Sequence, residues 1–262
     1  MIVRGGIDLS YPEDLLSTRA VVKPGLWAVI PKTGLVNNVI PNIIGGKVSI
    51  VCSPKMGASF TQYIIEALKG CHTTDPFAAE SQIESFLYVI EGTVKVIVDN
   101  KEKVLEAGGY AYAPEGIGIG FDVTSDTARI LLYKQVYIPY KDKKPYIIIG
   151  NINEVPFRIY DDMENVFIKD FLPIDDVAFD MNMHILSFEP GGCHPFVETH
   201  VQEHGAYILS GEGMYLMEKE WIGIKKDDFM WFGPFCPQCS YGVGREPFAY
   251  IYSKDCNRDV VM

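Results

Sequence analysis

The residues of this chain with the clearest chemical potential lie in one short run, Glu198-Thr199-His200-Val201-Gln202-Glu203-His204. Alternate residues of an extended strand share a face, so Glu198 and His200 point the same way. His204 joins them if the chain stays extended or crosses to a neighbouring strand. One carboxylate and two imidazoles form a ligand set for a first-row divalent cation. A fourth ligand is expected from a partner strand roughly 30 to 40 residues farther on, brought alongside by antiparallel pairing. The best polar candidate there is Gln238, in Phe235-Cys236-Pro237-Gln238. Its amide oxygen is a hard, neutral donor that favours manganese- or magnesium-like ions over thiophilic ones.

Other reactive types are open to plainer readings. Tyr250, Tyr252 and Lys254 alternate along one stretch and share a face with Phe248. They are either an aromatic barrel lining with a lysine reaching its mouth, or phenols and an ammonium that bind a carboxylate beside the metal. Tyr215, just after the Gly211–Gly213 turn, is a candidate to join them in the second reading. His194 and His184 read as a loop histidine and a core-strand histidine rather than ligands. Cys236-Pro237-Gln238-Cys239 is a CxxC without a second copy and among predicted strands, so small buried thiols are expected there, not zinc or redox chemistry. The Gly-rich pieces EAGGY and YGVGRE lack the strand–turn–helix setting of a nucleotide loop and read as turns.

The elements that must position these residues are strands. Runs rich in Val, Ile, Tyr and Phe recur between Gly, Pro, Asn and Asp turns: Lys47–Cys52, Phe86–Ile90, Thr93–Val98, Ile130–Tyr133, Met183–Phe188, Ala206–Leu209 and Phe248–Tyr252. Helical periodicity is confined to a short candidate near Gln62–Leu68. An all-β sandwich or barrel follows.

Sliding the second half back by 119 residues lays YILSG over YVIEG, with Tyr207 on Tyr88 and Gly211 on Gly92. Phe229 then falls on Tyr110, Trp231 on Tyr112 and Tyr252 on Tyr133, with no gap. The sequence therefore reads as a duplicated β domain joined near 140–160, with halves 1–150 and 151–262. At the same offset Ala79 lies under Glu198, Ser81 under His200 and Ser85 under His204. The first half keeps the scaffold and lacks the ligands.

Composition bounds the partners. Hydrophobic residues are 48% and charged residues 22% of the 262, ordinary for a globular protein. A net charge of -11 repels phosphate backbones and anionic lipids, so neither nucleic acid nor a membrane is an expected partner. No run approaches the roughly 18–20 apolar residues of a membrane span, and MIVRGGIDLS carries no secretory pattern. The six scattered cysteines fit a reducing cytoplasm.

DMNMHILSFEPGG, ETHVQEHGAYILSGEG and YIYSKDCNRDV, with GASF early in the chain, closely resemble the (S)-ureidoglycine aminohydrolases over nearly the full length. That resemblance implies tandem cupin barrels (a bicupin of two double-stranded β-helix, or jelly-roll, domains) and a small-molecule enzyme of purine and allantoin catabolism. The implied reaction is Mn²⁺-dependent hydrolysis of (S)-ureidoglycine to (S)-ureidoglycolate and ammonia. It further implies Glu198, His200, His204 and Gln238 as metal ligands. Tyr215, Gln238, Tyr250, Lys254 and Glu198 are implied to contact substrate, with Glu198 and Lys254 catalytic. Ammonia leaves either to an imine-like species or by direct displacement, with Glu198 a candidate proton carrier. Bicupins commonly pair through barrel edges, so a homo-oligomer is expected. The chain departs from the general cupin arrangement, an HxH followed by Glu and a later His. Other metal-dependent cupin activities on small carboxylic acids, such as isomerase or dioxygenase chemistry, and a non-catalytic ligand-binding bicupin are the alternatives.

Overall fold

In the computed structural model, residues 20–255 and 258–260 are described, and they divide into two compact units. The strands are Val21–Lys23 (β1), Trp27–Ile30 (β2), Ile43–Cys52 (β3), Phe60–Thr73 (β4), Ile83–Glu91 (β5), Thr93–Val98 (β6), Lys101–Glu106 (β7), Gly109–Ala113 (β8), Gly120–Val123 (β9) and Thr127–Val136 (β10). They continue with Ile148–Asn151 (β11), Arg158–Tyr160 (β12), Met163–Asp170 (β13), Met181–Phe188 (β14), His204–Ser210 (β15), Glu212–Met217 (β16), Glu220–Lys225 (β17), Phe229–Phe232 (β18), Gln238–Val243 (β19) and Phe248–Asp255 (β20). The all-β expectation holds, and every strand expected from the sequence lies inside one of these elements. No helix among the described residues is long and apolar enough to cross a membrane.

The first unit is a sheet in the order β11-β8-β5-β10-β4-β9-β6-β7, with β3 also paired to β4. The second holds an eight-stranded sheet, β1-β2-β18-β15-β20-β14-β13-β12, and a three-stranded sheet, β17-β16-β19. Each unit encloses its own apolar core. In the second, Leu186 and Phe188 of β14, Ala206 and Ile208 of β15, and Tyr250 and Tyr252 of β20 face inward at strand period two.

Two expectations are corrected. The helical reading of Gln62–Leu68 fails, because this stretch is the middle of β4. β4 runs between β10 and β3, and Tyr63, Ile64, Ile65 and Ala67 are all buried. Burial on both faces erases the alternation that marks a strand and leaves a pattern that mimics a helix. The division at 150/151 also shifts: residues 20–34 and 55–58 belong to the second unit. Their anchor is β2, whose Trp27 lies opposite Phe232 and whose Ile30 lies opposite Phe229. Trp27 is completely buried there.

The 119-residue offset runs through the strand plan. β6 and β16, and β7 and β17, superpose in number without a shift, and β5 and β15 nearly so. Gly92 and Gly211, related by the same offset, both have positive φ, +87° and +66°. A Cβ on Gly92 would stand 2.4 Å from the Thr127 carbonyl oxygen, and one on Gly211 2.5 Å from that of Pro247. Both turns need glycine for its conformation and for its missing side chain.

Gly211→Ala is therefore expected to cost roughly 2–4 kcal/mol, combining left-handed strain with overpacking. Gly191→Ala, at φ +83° with no atom within 4 Å, carries the strain alone and costs about 1–2 kcal/mol. Urea unfolding followed by tryptophan fluorescence reads the difference, since Trp27, Trp221 and Trp231 all belong to this unit. Equal shifts for both variants would contradict the close-approach argument.

Candidate functional site

Glu198 enters the second unit through an isolated pairing with Gln238, each backbone N–H donating to the other's carbonyl at 2.9 Å. Directly opposed residues present their side chains to one face, so the carboxylate and the amide flank the same pocket. His204 opens β15 and lies opposite Phe232, on the inward face that continues through Ala206 and Ile208. The loop carrying His200 is tied down by the Phe235 N–H, which donates to the His200 carbonyl at 2.7 Å. Glu198, His200, His204, Gln238, Tyr215, Tyr250, Tyr252 and Lys254 all line one pocket of about 350 Å³, counting its open mouth. Every site residue expected from the sequence lies in that single concavity.

His200 and His204 are held in one tautomer. Nδ1 of His200 lies 3.0 Å from the Gln202 carbonyl, and Nδ1 of His204 lies 2.9 Å from that of Ser253. A carbonyl oxygen only accepts, so both Nδ1 atoms donate and both Nε2 atoms present lone pairs. Those Nε2 atoms face each other at 3.2 Å, and the Gln238 amide stands 3.0 Å from His200 Nε2. Two facing lone pairs repel unless something positive lies between them. Donors each about 2.1 Å from a metal and at right angles are about 3 Å apart, so this spacing fits a shared cation. Carbonyl oxygens behind metal-facing imidazoles are also the usual supporting arrangement.

The amide of Gln238 has its nitrogen toward His200 and its oxygen 3.3 Å from the Tyr215 hydroxyl. Amide oxygen and nitrogen interchange by a half-turn with little change of shape. The flipped amide aims its oxygen at the histidines and donates to the Tyr215 oxygen instead. The hydroxyls of Tyr215 and Tyr250 stand 3.4 Å apart. Burial pushes the phenol pKa values of Tyr215, Tyr250 and Tyr252 well up, so all three are protonated donors at neutral pH.

Glu198 is brought to the pocket but not to the histidine pair. Its Oε1 lies 3.8 Å from His194 Nε2, and among the described residues no three His, Cys, Asp or Glu side chains converge as a ready cation cluster. Burial raises its pKa, while the Lys254 ammonium lowers it and Asp161 raises it further. Burial also lowers the pKa of His200, and of His204 more strongly, keeping both rings neutral. Sequence reasoning missed Tyr160, at the end of β12, which also lines the pocket. His184 is not among the residues lining this pocket: its Nδ1 lies 2.7 Å from Asp170, which Arg158 also engages at 3.0 Å. Cys236 and Cys239 are buried free thiols, and Cys256 falls outside the described residues.

The first unit fills the equivalent space with other chemistry. Ser85 pairs with Ala113 as His204 pairs with Phe232, so Ser85 stands in the place of His204. The Glu198–Gln238 pairing has its counterpart in Phe77–Ile119. Phe77, not Ala79, therefore occupies the place of Glu198, because the segment from Phe77 to Ser85 is two residues longer than that from Glu198 to His204. A similar correction applies to the last strand. Tyr252 lies opposite Ala206 as Leu132 lies opposite Leu87, so Leu132 and not Tyr133 is its equivalent. One extra residue before β20 accounts for the slip. Phe77, Val96, Ile119, Ile130 and Leu132 all belong to the first unit's apolar core.

A scan against protein-family models gives no match. The chain is 46% identical over 252 residues to the (S)-ureidoglycine aminohydrolase of Escherichia coli strain K12, covering 95% of this chain and 96% of that protein. It is 26% identical over 253 residues to the (S)-ureidoglycine aminohydrolase of Arabidopsis thaliana, covering 95% and 82% of the two. Among solved structures, the protein Ylba of E. coli superposes with a TM-score of 0.85 at 42% identity, over 97% of this chain and all of that one. Bacillus subtilis oxalate decarboxylase superposes with a TM-score of 0.64 at 11% identity, over 92% of this chain and 79% of that one, a likeness of fold alone that agrees with tandem cupin barrels. Near-complete coverage in both directions at 46% identity places this chain in the (S)-ureidoglycine aminohydrolase family.

Proposed function

We propose that this protein hydrolyses (S)-ureidoglycine, replacing its amino group by hydroxyl to give (S)-ureidoglycolate and ammonia, at a divalent-cation centre in the second unit. The observation that carries the metal is the pair of His200 and His204 Nε2 lone pairs facing each other at 3.2 Å, beside the Gln238 amide. Glu198 completes the set by turning from His194 toward the histidines. Imidazoles with carboxylate and amide oxygens suit manganese, and the absence of thiolate from the set disfavours thiophilic ions. A bound divalent cation would supply a template and Lewis-acid polarisation.

The chain's own residues do the rest. Lys254, half-buried at the pocket, is placed to pair with the substrate carboxylate. The Tyr250 hydroxyl, kept protonated by burial, donates to the same group and fixes its orientation. Glu198, with its pKa raised by burial, is suited to take a proton from water and deliver one to the departing amine. The surrounding Leu186, Phe232 and Tyr252 exclude bulk water from one side, so attack from one face sets the product's configuration.

Freshly generated ureidoglycine incubated with Mn²⁺-loaded protein should release ammonia, and Glu198→Ala should lower that rate by about 10³-fold or more. Retained turnover in Glu198→Ala would remove the residue from its role. His204→Ala should lose the bound metal as well as the rate, read as metal content after dialysis. Lys254→Met should act through binding, raising KM about 10- to 100-fold, the range for loss of a charge-assisted hydrogen bond. An unchanged KM with a reduced kcat would place Lys254 elsewhere in the chemistry.

A further inference from the structure

Three histidines line the pocket, and one of them faces it the opposite way round. Ser240 N–H donates to His194 Nδ1 at 3.0 Å, and the Ser240 hydroxyl sits 3.2 Å from the same atom. A backbone N–H only donates, so His194 Nδ1 is an acceptor and its Nε2 carries the proton. That is the reverse of His200 and His204, whose Nε2 atoms carry lone pairs. The His194 side chain is 4% exposed, packs edge-on to Phe188 at 5.0 Å between ring centroids, and lines the pocket. Glu198 Oε1 stands 3.8 Å from His194 Nε2, beyond hydrogen-bond reach.

That leaves an Nε2–H donor on a ring that lines the pocket, available to a ligand bound there. The substrate offers three polar groups on one carbon. Its carboxylate matches the Lys254 ammonium, and its carboxylate and amine match the cation centre. The ureido carbonyl oxygen is neutral and needs a neutral donor. A ring whose Nδ1 accepts from the Ser240 N–H carries one proton, on Nε2, and is uncharged, so it does not compete for the carboxylate.

We propose that His194 is a specificity-determining residue whose Nε2–H hydrogen-bonds the ureido carbonyl oxygen of the substrate. This rests on the ureidoglycine reading of the same pocket. It gives a reason for the Ser240 contact: β19 supplies Gln238 to the cation and, two residues on, fixes the tautomer of the ring that reads the ureido group.

The test uses direct calorimetric binding to Mn²⁺-loaded full-length protein of two stable probes. N-carbamoylglycine has both carboxylate and ureido group, and glycolate has the carboxylate without the ureido group. His194→Phe keeps a ring against Phe188 and removes the donor. It should weaken N-carbamoylglycine about tenfold and leave glycolate within about twofold, as expected for one hydrogen bond to a neutral group. His194→Gln, which restores an N–H near the Nε2 position, should recover most of the loss. Equal weakening of both probes, no weakening of either, or Gln as poor as Phe would overturn the assignment. His194→Met replaces the Phe variant if its melting temperature shows that it has not folded. Ammonia release by the unsubstituted protein is read separately, so failure of the ureidoglycine reading cannot be confused with failure of the His194 contact.

Discussion

The site depends on two imidazole lone pairs forced to face each other. His200 and His204 each spend Nδ1–H on a backbone carbonyl, of Gln202 and Ser253, and each is left with an Nε2 that can only accept. At 3.2 Å such a pair is unfavourable by itself and favourable around a cation. The fold supplies that arrangement from places far apart in sequence. Ser253 comes from β20, His204 from the start of β15, and Gln238 from the first residue of β19. Pairing registers within the second unit bring the three together, so the fold sets the donor spacing before any metal binds.

The first unit shows what the same strand plan does without that constraint. Its counterparts of Glu198, His204 and Gln238 are Phe77, Ser85 and Ile119, and Tyr215, Tyr250 and Tyr252 are replaced by Val96, Ile130 and Leu132. The interior closes over as an apolar core. Polar groups in the second unit's interior are tolerated because they satisfy one another, as in the contacts joining Tyr250, Tyr215 and Gln238. Lys254 has an equivalent in Lys134 by the same register, so a lysine at this point of the strand does not by itself make a site.

Much of this was legible in the sequence. Period-two patterning and a constant offset reveal the repeated strands, and the four donors are visible as residue types at workable spacings. Legibility failed wherever one or two residues of loop length mattered. Counting at a fixed offset places Ala79 under Glu198 and Tyr133 under Tyr252, whereas strand pairing replaces them with Phe77 and Leu132. β4 was obscured because burial on both faces removes alternation. β1 and β2 complete the second unit's sheet from far upstream, a long-range pairing with no local signature, although Trp27–Ile30 is an apolar run between Gly25 and Pro31. The tautomers were out of reach, since they follow from which backbone group each Nδ1 meets.

Those tautomers are also the most direct point of attack. Long-range ¹H–¹⁵N correlation of the histidine side chains in metal-free protein reads the protonation of each ring nitrogen. His200 and His204 should show protonated Nδ1 and bare Nε2, His194 the reverse, and substoichiometric Mn²⁺ should broaden the His200 and His204 signals together. A protonated Nε2 on His200 or His204 at neutral pH, or Mn²⁺ broadening that spares both rings, would contradict the account.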